Sequence, residues 1–444
     1  MNAIEKGTIN NMETNTYLSK FYKGTKGPTL EAIQYFMEQL DFPQNKLKIV
    51  HVAGTNGKGS VCEMLSNVLE KAGYIVGKFM SPHIIKFNER ICVNHQEISD
   101  EELEKYIKIM NPIVEQYNEN HSVKVTLFEL ETAVALLHFV SKKCDIVIME
   151  TGLGGLCDCT NIVYPMISMI TSIGYDHMDI LGKTLEEITI QKAGIIKQNS
   201  ETIFIKQEPQ VNEIIEQTCK QKNNELHLIS PQDWSKPEYN GEYQVFHYKG
   251  KQIEINLKGK KQIGNACMVL EAVKILQNKG YNIPEEAIEN GLKTVVHKAR
   301  FEKIYEHPLM IFDGGHNEAA IQNLKETIKQ YYPQNKKIYI ISILKTKDYK
   351  TVIKELIEDK DASFIFTDGT KDKDEVKCYV EKETLYEEAL KYRKDNIYMD
   401  SLENAINKCK QECKDEVVFI VGSFYTYQEV IQNLKKWGVR FKKL

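Results

Sequence analysis

A glycine-rich segment at residues 54–60, with the sequence GTNGKGS, limits the possible folds of this chain more than any other feature. The apolar run IVHVA at residues 49–53 is typical of a buried strand, and residues 61–72 carry apolar side chains at helical spacing. A glycine-rich turn from strand to helix presents backbone N–H groups to an anion, and the helix N-terminus adds partial positive charge. Lys58 is placed to reach the outer phosphates of a nucleotide, and Ser60 to bind Mg²⁺. The segment predicts a nucleotide-phosphate site rather than a plain turn, although one glycine separates the lysine from the serine, unlike the usual motif.

The composition indicates a two-domain protein that acts on small molecules. A chain of 444 residues is too long for one ordinary core, and 42% hydrophobic residues suffice for packed interiors. A net charge of −4 without a basic block argues against a nucleic-acid partner. The polar first 20 residues and the lack of a long uncharged apolar stretch predict a cytoplasmic protein with no membrane partner. Ten scattered cysteines favour reduced thiols, and the lack of heptad repeats favours a monomer.

Strand and helix patterns alternate along most of the chain, which predicts an α/β fold with a mostly parallel sheet covered on both faces. A hairpin is expected around Lys249 and Gly250, and a second α/β series begins near residue 309. We therefore predict domains at residues 1–296 and 297–444. The predicted strands are residues 48–53, 74–79, 145–150, 166–173 and 202–206 in the first domain, and 310–312, 337–341, 363–367 and 417–421 in the second.

Polar residues follow several of these strands, where parallel sheets bind their ligands. Glu150 ends one strand before a glycine-rich turn, the usual position of a magnesium-binding acid in phosphate-binding α/β proteins. Ser81 follows the predicted strand at residues 74–79, and His177 follows the one at residues 166–173. DGGHN at residues 313–317 follows the first strand of the second series. Each of these residues could also have a purely structural role, because Ser-Pro often ends a strand and Asp or Asn often caps a turn.

Lys192 lies in an otherwise apolar helical segment. A buried lysine has a lowered pKa, and its neutral amine reacts with carbon dioxide to give a carbamate, an anion able to bind Mg²⁺. From the residue pattern alone, a lysine whose ammonium reaches solvent is the commoner outcome.

Taken in order, these segments resemble the folylpolyglutamate synthase/dihydrofolate synthase family of Mur-type ligases. The resemblance covers nearly the whole chain, from about residue 27 to 430. The matching motifs are HVAGTNGKGS at 51–60, SPH at 81–83, ER at 89–90, FE at 128–129, ETGLGG at 150–155, DCTNI at 158–162, DH at 176–177, KAGI at 192–195, QIGNA at 262–266, RFE at 300–302, DGGHN at 313–317, KD at 347–348 and GS at 422–423.

The resemblance implies a P-loop-type first domain, a smaller Rossmann-like second domain and an active site between them. It implies ATP-dependent joining of L-glutamate to the carboxylate of dihydropteroate or a reduced folate through an acyl phosphate, a reaction of folate biosynthesis and one-carbon metabolism. The cofactors implied are ATP, Mg²⁺ and a carbamylated Lys192.

The resemblance also implies roles for individual residues. Catalytic roles fall on Lys58, Lys192, His177 and His316. The nucleotide contacts are Gly57, Lys58, Gly59, Ser60, Asn265, Arg300 and Asp313, and the metal ligands are Ser81, Glu150 and His177. The acceptor-binding residues are Thr126, Leu127, Phe128, Glu129, Cys157, Asp158 and Cys159.

The chain departs from the family pattern near the acceptor region and the domain junction. Leu156 stands where the family usually has arginine, and Gln191 stands where it has glutamate. HKA at residues 297–299 replaces Trp-Pro-Gly, while Lys261 and Gly315 replace a histidine and an alanine. The acceptor is therefore the least determined feature. A Mur-type ligase with a non-folate carboxylate, or a non-catalytic nucleotide-binding protein, are the alternatives.

Overall fold

The computed structural model describes residues 29–369 and 378–439 together with Leu18 and Phe21. The chain forms two compact units. The first contains Met1–Glu238, Val245–Ile255 and Gly264–Val295, and the second contains Tyr239–Gln244, Asn256–Ile263 and Val296–Leu444. The predicted division at residues 296 and 297 stays a prediction.

The first unit is built on an eight-stranded sheet with the order β4-β3-β2-β5-β1-β6-β7-β8. The strands from β2 to β8 in this order are parallel, while β3 and β4 form an antiparallel edge. The strands are β1 (Ile49–Ala53), β2 (Val76–Phe79), β3 (Ile91–Val93), β4 (Gln96–Glu97), β5 (Ile146–Glu150), β6 (Ile167–Ile170), β7 (Glu201–Ile205) and β8 (Glu225–Ile229).

The order of the strands reverses at β1. The chain leaves β1 for β2 on one side, and later adds β6 directly against the other side of β1. Ligands of such sheets bind beyond the carboxyl ends of the strands at a reversal of this kind. The segment at residues 54–60 follows β1 at this place.

Helices connect the strands, and capping residues and apolar faces in the connecting segments favour helix formation. Thr126 and Thr184 each begin a helix with a reciprocal capping box, formed with Glu129 and Glu187. The helices up to residue 294 are α1 (Glu31–Gln39), α2 (Lys58–Lys71), α3 (Asp100–Asn120), α4 (Leu127–Ser141), α5 (Met178–Leu181), α6 (Leu185–Ala193), α7 (Pro209–Gln221), α8 (Lys260–Asn278) and α9 (Glu285–Thr294).

The expected hairpin is present. Strands β10 (Gln244–Tyr248) and β11 (Lys251–Ile255) flank Lys249 and Gly250, whose φ angles of 48° and 80° are those of a tight hairpin turn. With β9 (Glu238–Tyr239) they form a three-stranded sheet ordered β11-β10-β9.

The second unit contains a six-stranded sheet ordered β12-β13-β17-β14-β15-β16, parallel except for β12. Its core consists of aromatic and aliphatic side chains from the sheet and the helices around it. The strands are β12 (Glu302–Glu306), β13 (Leu309–Asp313), β14 (Lys337–Ile341), β15 (Ala362–Phe366), β16 (Ile397–Met399) and β17 (Val417–Val421), and the helices are α10 (Glu318–Tyr331), α11 (Tyr349–Ile357), α12 (Lys382–Leu390), α13 (Leu402–Glu412) and α14 (Tyr427–Lys436).

The α/β architecture with a large, mainly parallel sheet and a second sheet unit confirms the predicted fold class. The predicted strand at residues 166–173 is too long, because β6 ends at Ile170 and Ser172 instead makes an antiparallel bridge to Asn56. Within the described part of the chain, every helix is too short or too polar to cross a membrane.

Candidate functional site

The glycine-rich loop after β1 is held in shape by the segment that follows β6. The Thr55 N–H donates to the Ser172 carbonyl oxygen at 2.7 Å, and the Thr55 hydroxyl donates to the Gly174 carbonyl oxygen at 3.0 Å. The Ser172 hydroxyl returns a hydrogen bond to the Asn56 carbonyl oxygen at 3.0 Å. These three hydrogen bonds hold the backbone of the loop against the segment that follows β6.

Two positions in the loop require glycine. A Cβ on Gly54 would lie 1.8 Å from the Thr171 Oγ1, and the φ angle of 148° disfavours a side chain there. Gly57 is the N-cap of α2, with φ of 96°, and its Cβ would lie 2.8 Å from the Asn265 Oδ1. The loop thus brings the predicted nucleotide residue Asn265 against the start of α2.

Lys58 and Glu150 meet beside this loop. The Lys58 Nζ donates to the Gly54 carbonyl oxygen at 3.1 Å and lies 3.9 Å from the Glu150 Oε1. The Ser81 backbone N–H donates to the Glu150 Oε2 at 3.3 Å. Three predicted site residues from the ends of β1, β2 and β5 are therefore neighbours.

Lys192 is buried and points at the same loop. Only 3% of the residue is exposed, and its Nζ donates to the Gly54 carbonyl oxygen at 2.9 Å, so both lysines bind one oxygen atom. Burial, followed by repulsion from the Lys58 charge, lowers the pKa of Lys192 to about 7. The expectation of a solvent-reaching lysine is wrong, because α6 directs this side chain under the loop after β1.

His177 follows β6, the strand next to β1. It is the N-cap of α5 with a φ angle of 50°, and its imidazole Nε2 lies 3.8 Å from the Asp176 Oδ1. The side chain is 46% exposed, so solvent reaches the imidazole.

Phe128, in the predicted acceptor region at the start of α4, packs against the glycine-rich turn after β5. Its ring stacks on Phe79 with centroids 5.7 Å apart, and a Cβ on Gly152 would lie 2.5 Å from the Phe128 ring. Thr126 and Glu129 bind each other in the capping box, and Leu127 packs against the core.

Asp158 closes the turn after β5 from the other side. Its carboxylate accepts hydrogen bonds from the Leu153 N–H at 2.7 Å and the Thr160 N–H at 3.0 Å. Burial raises the pKa of Asp158. Cys159 is buried in the core and Cys157 is half-buried. The predicted substrate contacts of Asp158 and the two cysteines stay predictions.

In the second unit, two predicted site residues contact Phe424. The Arg300 guanidinium carbon lies 4.3 Å from the centre of the Phe424 ring, and the His316 ring meets Phe424 edge-on at 5.6 Å. The Asp313 carboxylate accepts from the backbone N–H groups of Gly315 at 2.8 Å and Phe301 at 2.9 Å. Burial raises the pKa of Asp313, while the Arg300 charge opposes that change.

Comparison with known proteins identifies the family. A family model for the Mur ligase middle domain matches residues 52–273, and one for the Mur ligase glutamate ligase domain matches residues 299–424. A dihydrofolate synthase/folylpolyglutamate synthase of Bacillus subtilis is 39% identical over 74% of this chain and 78% of its own length. The chain belongs to the folylpolyglutamate synthase/dihydrofolate synthase family of Mur-type ligases.

Solved structures of this family share the fold. The folylpolyglutamate synthase of Thermotoga maritima has a TM-score of 0.81 and 28% identity, covering 98% of this chain and 98% of its own. An FPGS–AMPPCP–folate complex has a TM-score of 0.81 and 26% identity, covering 96% of this chain and 99% of its own. That protein binds an ATP analogue and folate together.

Two side-chain contacts in this chain were not predicted from the sequence. Phe424 organises Arg300 and His316, and the only signal for it was the GS motif just before it. Arg90 makes a buried ion pair with Glu131 and donates from its Nε to the His83 Nδ1 at 2.9 Å. A glutamate within the apolar run of α4 was the available signal for this pair.

Proposed function

We propose that this chain is an ATP-dependent ligase that joins L-glutamate to the carboxylate of a pteroate or folate through an acyl phosphate. The observation that carries the proposal is the meeting of Lys58, Glu150 and Ser81 at the reversal of strand order, in a chain of this ligase family. The Lys58 ammonium and the N–H groups at the start of α2 offset the charge of a triphosphate.

The donor atoms beside the loop fit Mg²⁺, which prefers oxygen ligands. The Glu150 carboxylate is buried at the end of β5 and directed at the loop, as its distance of 3.9 Å from the Lys58 Nζ indicates. We infer that Glu150 and Ser81, with Ser60 and His177, hold the ion. Bound Mg²⁺ supplies positive charge that offsets repulsion between the phosphate and the acceptor carboxylate.

Lys192 fits the proposed carbamate because its lowered pKa of about 7 leaves about half of its amine neutral at pH 7 and because it lies close to Lys58. As an ammonium group it is repelled by Lys58, whereas a carbamate on the same nitrogen would be attracted. We infer that the modified side chain adds a negative oxygen donor beside Glu150.

In the second unit, we infer that Arg300 and Asp313 contact the nucleotide and that His316 acts in catalysis. Arg300 contacts the ring of Phe424, and two backbone N–H groups donate to the Asp313 carboxylate. The proposed domain division is residues 1–296 and 297–444. That the protein is cytoplasmic, that it is a monomer and that it binds no nucleic acid remain predictions.

The acceptor is tested by ADP release from the full chain with ATP, Mg²⁺ and L-glutamate. Separate reactions contain dihydropteroate, tetrahydrofolate or no pterin, and the products are identified by mass. We expect ADP release that needs both glutamate and a pterin, with a mass gain of one glutamate residue.

Leu156 makes the comparison between acceptors informative, because 42% of this residue is exposed beside the turn after β5. An apolar side chain there offers no cation to a second carboxylate. ADP release that requires a different carboxylate would identify a non-folate Mur-type ligase. Nucleotide binding without turnover under any condition would contradict the proposed ligase activity.

A further inference from the structure

Three side chains that commonly bind metals lie together at the edge of the first unit's sheet, on β7 and β8. Glu201 pairs in register with Glu225, and His227 follows two residues later on β8. Side chains two residues apart on a strand leave the same face of a sheet. One donor atom from each of the three lies within 4.8 Å of the other two.

The spacing of these donors suits a small divalent cation. The His227 Nε2 lies 3.0 Å from the Glu201 Oε2 and 3.8 Å from the Glu225 Oε1. Zn²⁺ binds nitrogen and oxygen at about 2.0–2.2 Å in a tetrahedron, which places neighbouring donors about 3.4 Å apart. The two observed distances lie on either side of that value, so small side-chain movements would complete the geometry.

The second ring nitrogen of His227 is already directed at a carboxylate. The His227 Nδ1 lies 3.4 Å from the Glu271 Oε1, and Lys249 holds the other Glu271 oxygen at 2.6 Å. Metal-binding histidines usually donate their other N–H to such a carboxylate, which fixes the tautomer. With the proton on Nδ1, the Nε2 lone pair points towards Glu201 and Glu225.

The local charge also favours a cation. Lys279 pairs with the Glu201 Oε1 at 2.5 Å, while the Glu201 Oε2 faces the His227 Nε2 at 3.0 Å. The cluster carries one net negative charge when His227 is neutral, because it contains three carboxylates and two ammonium groups: Glu201, Glu225, Glu271, Lys249 and Lys279.

We propose that Glu201, Glu225 and His227 form a binding site for a divalent cation of the Zn²⁺ class. Water completes the coordination on the side of Glu225, whose side chain is 74% exposed. The ion would join the edge strand β8 to β7. Through Glu271 it would also connect to α8, the helix that carries Asn265.

The full chain is titrated with Co²⁺ at pH 7.5 without nucleotide, and visible absorption and displacement by Zn²⁺ are recorded. We expect one tightly bound Co²⁺ that Zn²⁺ displaces and that His227→Gln and Glu225→Gln both abolish. Glu271→Gln should weaken the affinity about 10–100-fold, as for other residues that orient a metal ligand. Glu213→Gln, an exposed change on α7, is the matched control and should bind as the parent does.

The proposal is independent of the ligase reaction, because its readout is the metal spectrum rather than turnover. Glu225→Gln protects the test against misfolding, since that side chain is largely exposed. Absence of a Co²⁺ spectrum from the parent, or a spectrum unchanged in both His227→Gln and Glu225→Gln, would show that the cluster is an ion-pair network only.

Discussion

Lys192 should form a carbamate when the protein is exposed to bicarbonate. The neutral amine attacks the carbon of carbon dioxide, an N–C bond forms, and the nitrogen releases one proton to solvent. The reaction therefore depends on the fraction of Lys192 that is unprotonated. It also exchanges a buried ammonium next to Lys58 for an anion next to the same cation.

The structure gives the size of the effect. Burial lowers the Lys192 pKa from 10.5 to about 7, which raises the neutral fraction at pH 7 from about 1 in 3,000 to about one half. The reactive form is thus about 1,500-fold more abundant than for an exposed lysine. An exposed lysine at the same pH should not accumulate carbamate to a comparable degree.

The assay is ¹³C NMR of the purified chain in ¹³C-bicarbonate. We expect a carbamate resonance in the parent that is lost in Lys192→Met. Lys197→Met is the matched control, because Lys197 is also partly buried with its pKa lowered to about 8, but it donates to the Asn161 carbonyl oxygen instead of the loop. The reasoning fails if the parent shows no carbamate at saturating bicarbonate, or if the resonance survives in Lys192→Met.

Three further predictions concern turnover and stability. Lys58→Ala should lower turnover at least about 100-fold, because the cation that stabilises the transferring phosphoryl group is lost. Lys71→Ala, at the exposed end of the same helix, is the control and should leave turnover unchanged. Turnover of Lys58→Ala within tenfold of the parent would refute the role of Lys58. Gly194→Ala should lower the free energy of unfolding in urea by about 1–3 kcal/mol, because the new Cβ would lie 2.3 Å from the Leu156 Cα. Gly174→Ala is the control and should be close to neutral, because no atom lies within 4 Å of its Cβ. Equal urea midpoints for the two variants would contradict this prediction. Burial raises the pKa of Glu131 from 4.5 to about 7, so the folded state holds more protons than the unfolded state between those values and stability falls as pH rises through them. The parent's unfolding free energy should fall by up to about 3 kcal/mol more than that of Glu131→Gln over this range, and parallel curves would argue against a buried carboxyl.

The grouping of site residues at the strand ends of the first unit could be predicted from the sequence, because the carboxyl ends of parallel strands lie at the same edge of a sheet. Lys58, Ser81 and Glu150 lie far apart in the chain, yet each follows or ends a strand with a clear apolar pattern. Their meeting follows from the sheet alone. The family motifs then supplied the chemistry, and the comparisons confirm the family.

Contacts that depend on packing between elements distant in the chain could not be predicted from the sequence. Lys192 lies 138 residues from Gly54, and no local pattern shows that α6 will direct the side chain under that loop. The same holds for the Arg90–Glu131 pair, which depends on how α4 packs against the segment after β2. The end of β6 was misplaced because Ser172 pairs with the loop at Asn56, a contact outside the sheet.

Transfer of oxygen from the acceptor to phosphate tests the proposed reaction most directly. The acceptor carboxylate is labelled with ¹⁸O, and the inorganic phosphate released with ATP, Mg²⁺ and L-glutamate is analysed by mass spectrometry. An acyl phosphate attacked by the glutamate amine leaves one acceptor oxygen on each phosphate, so the account predicts phosphate carrying a single ¹⁸O. Amide formation with unlabelled phosphate would contradict it.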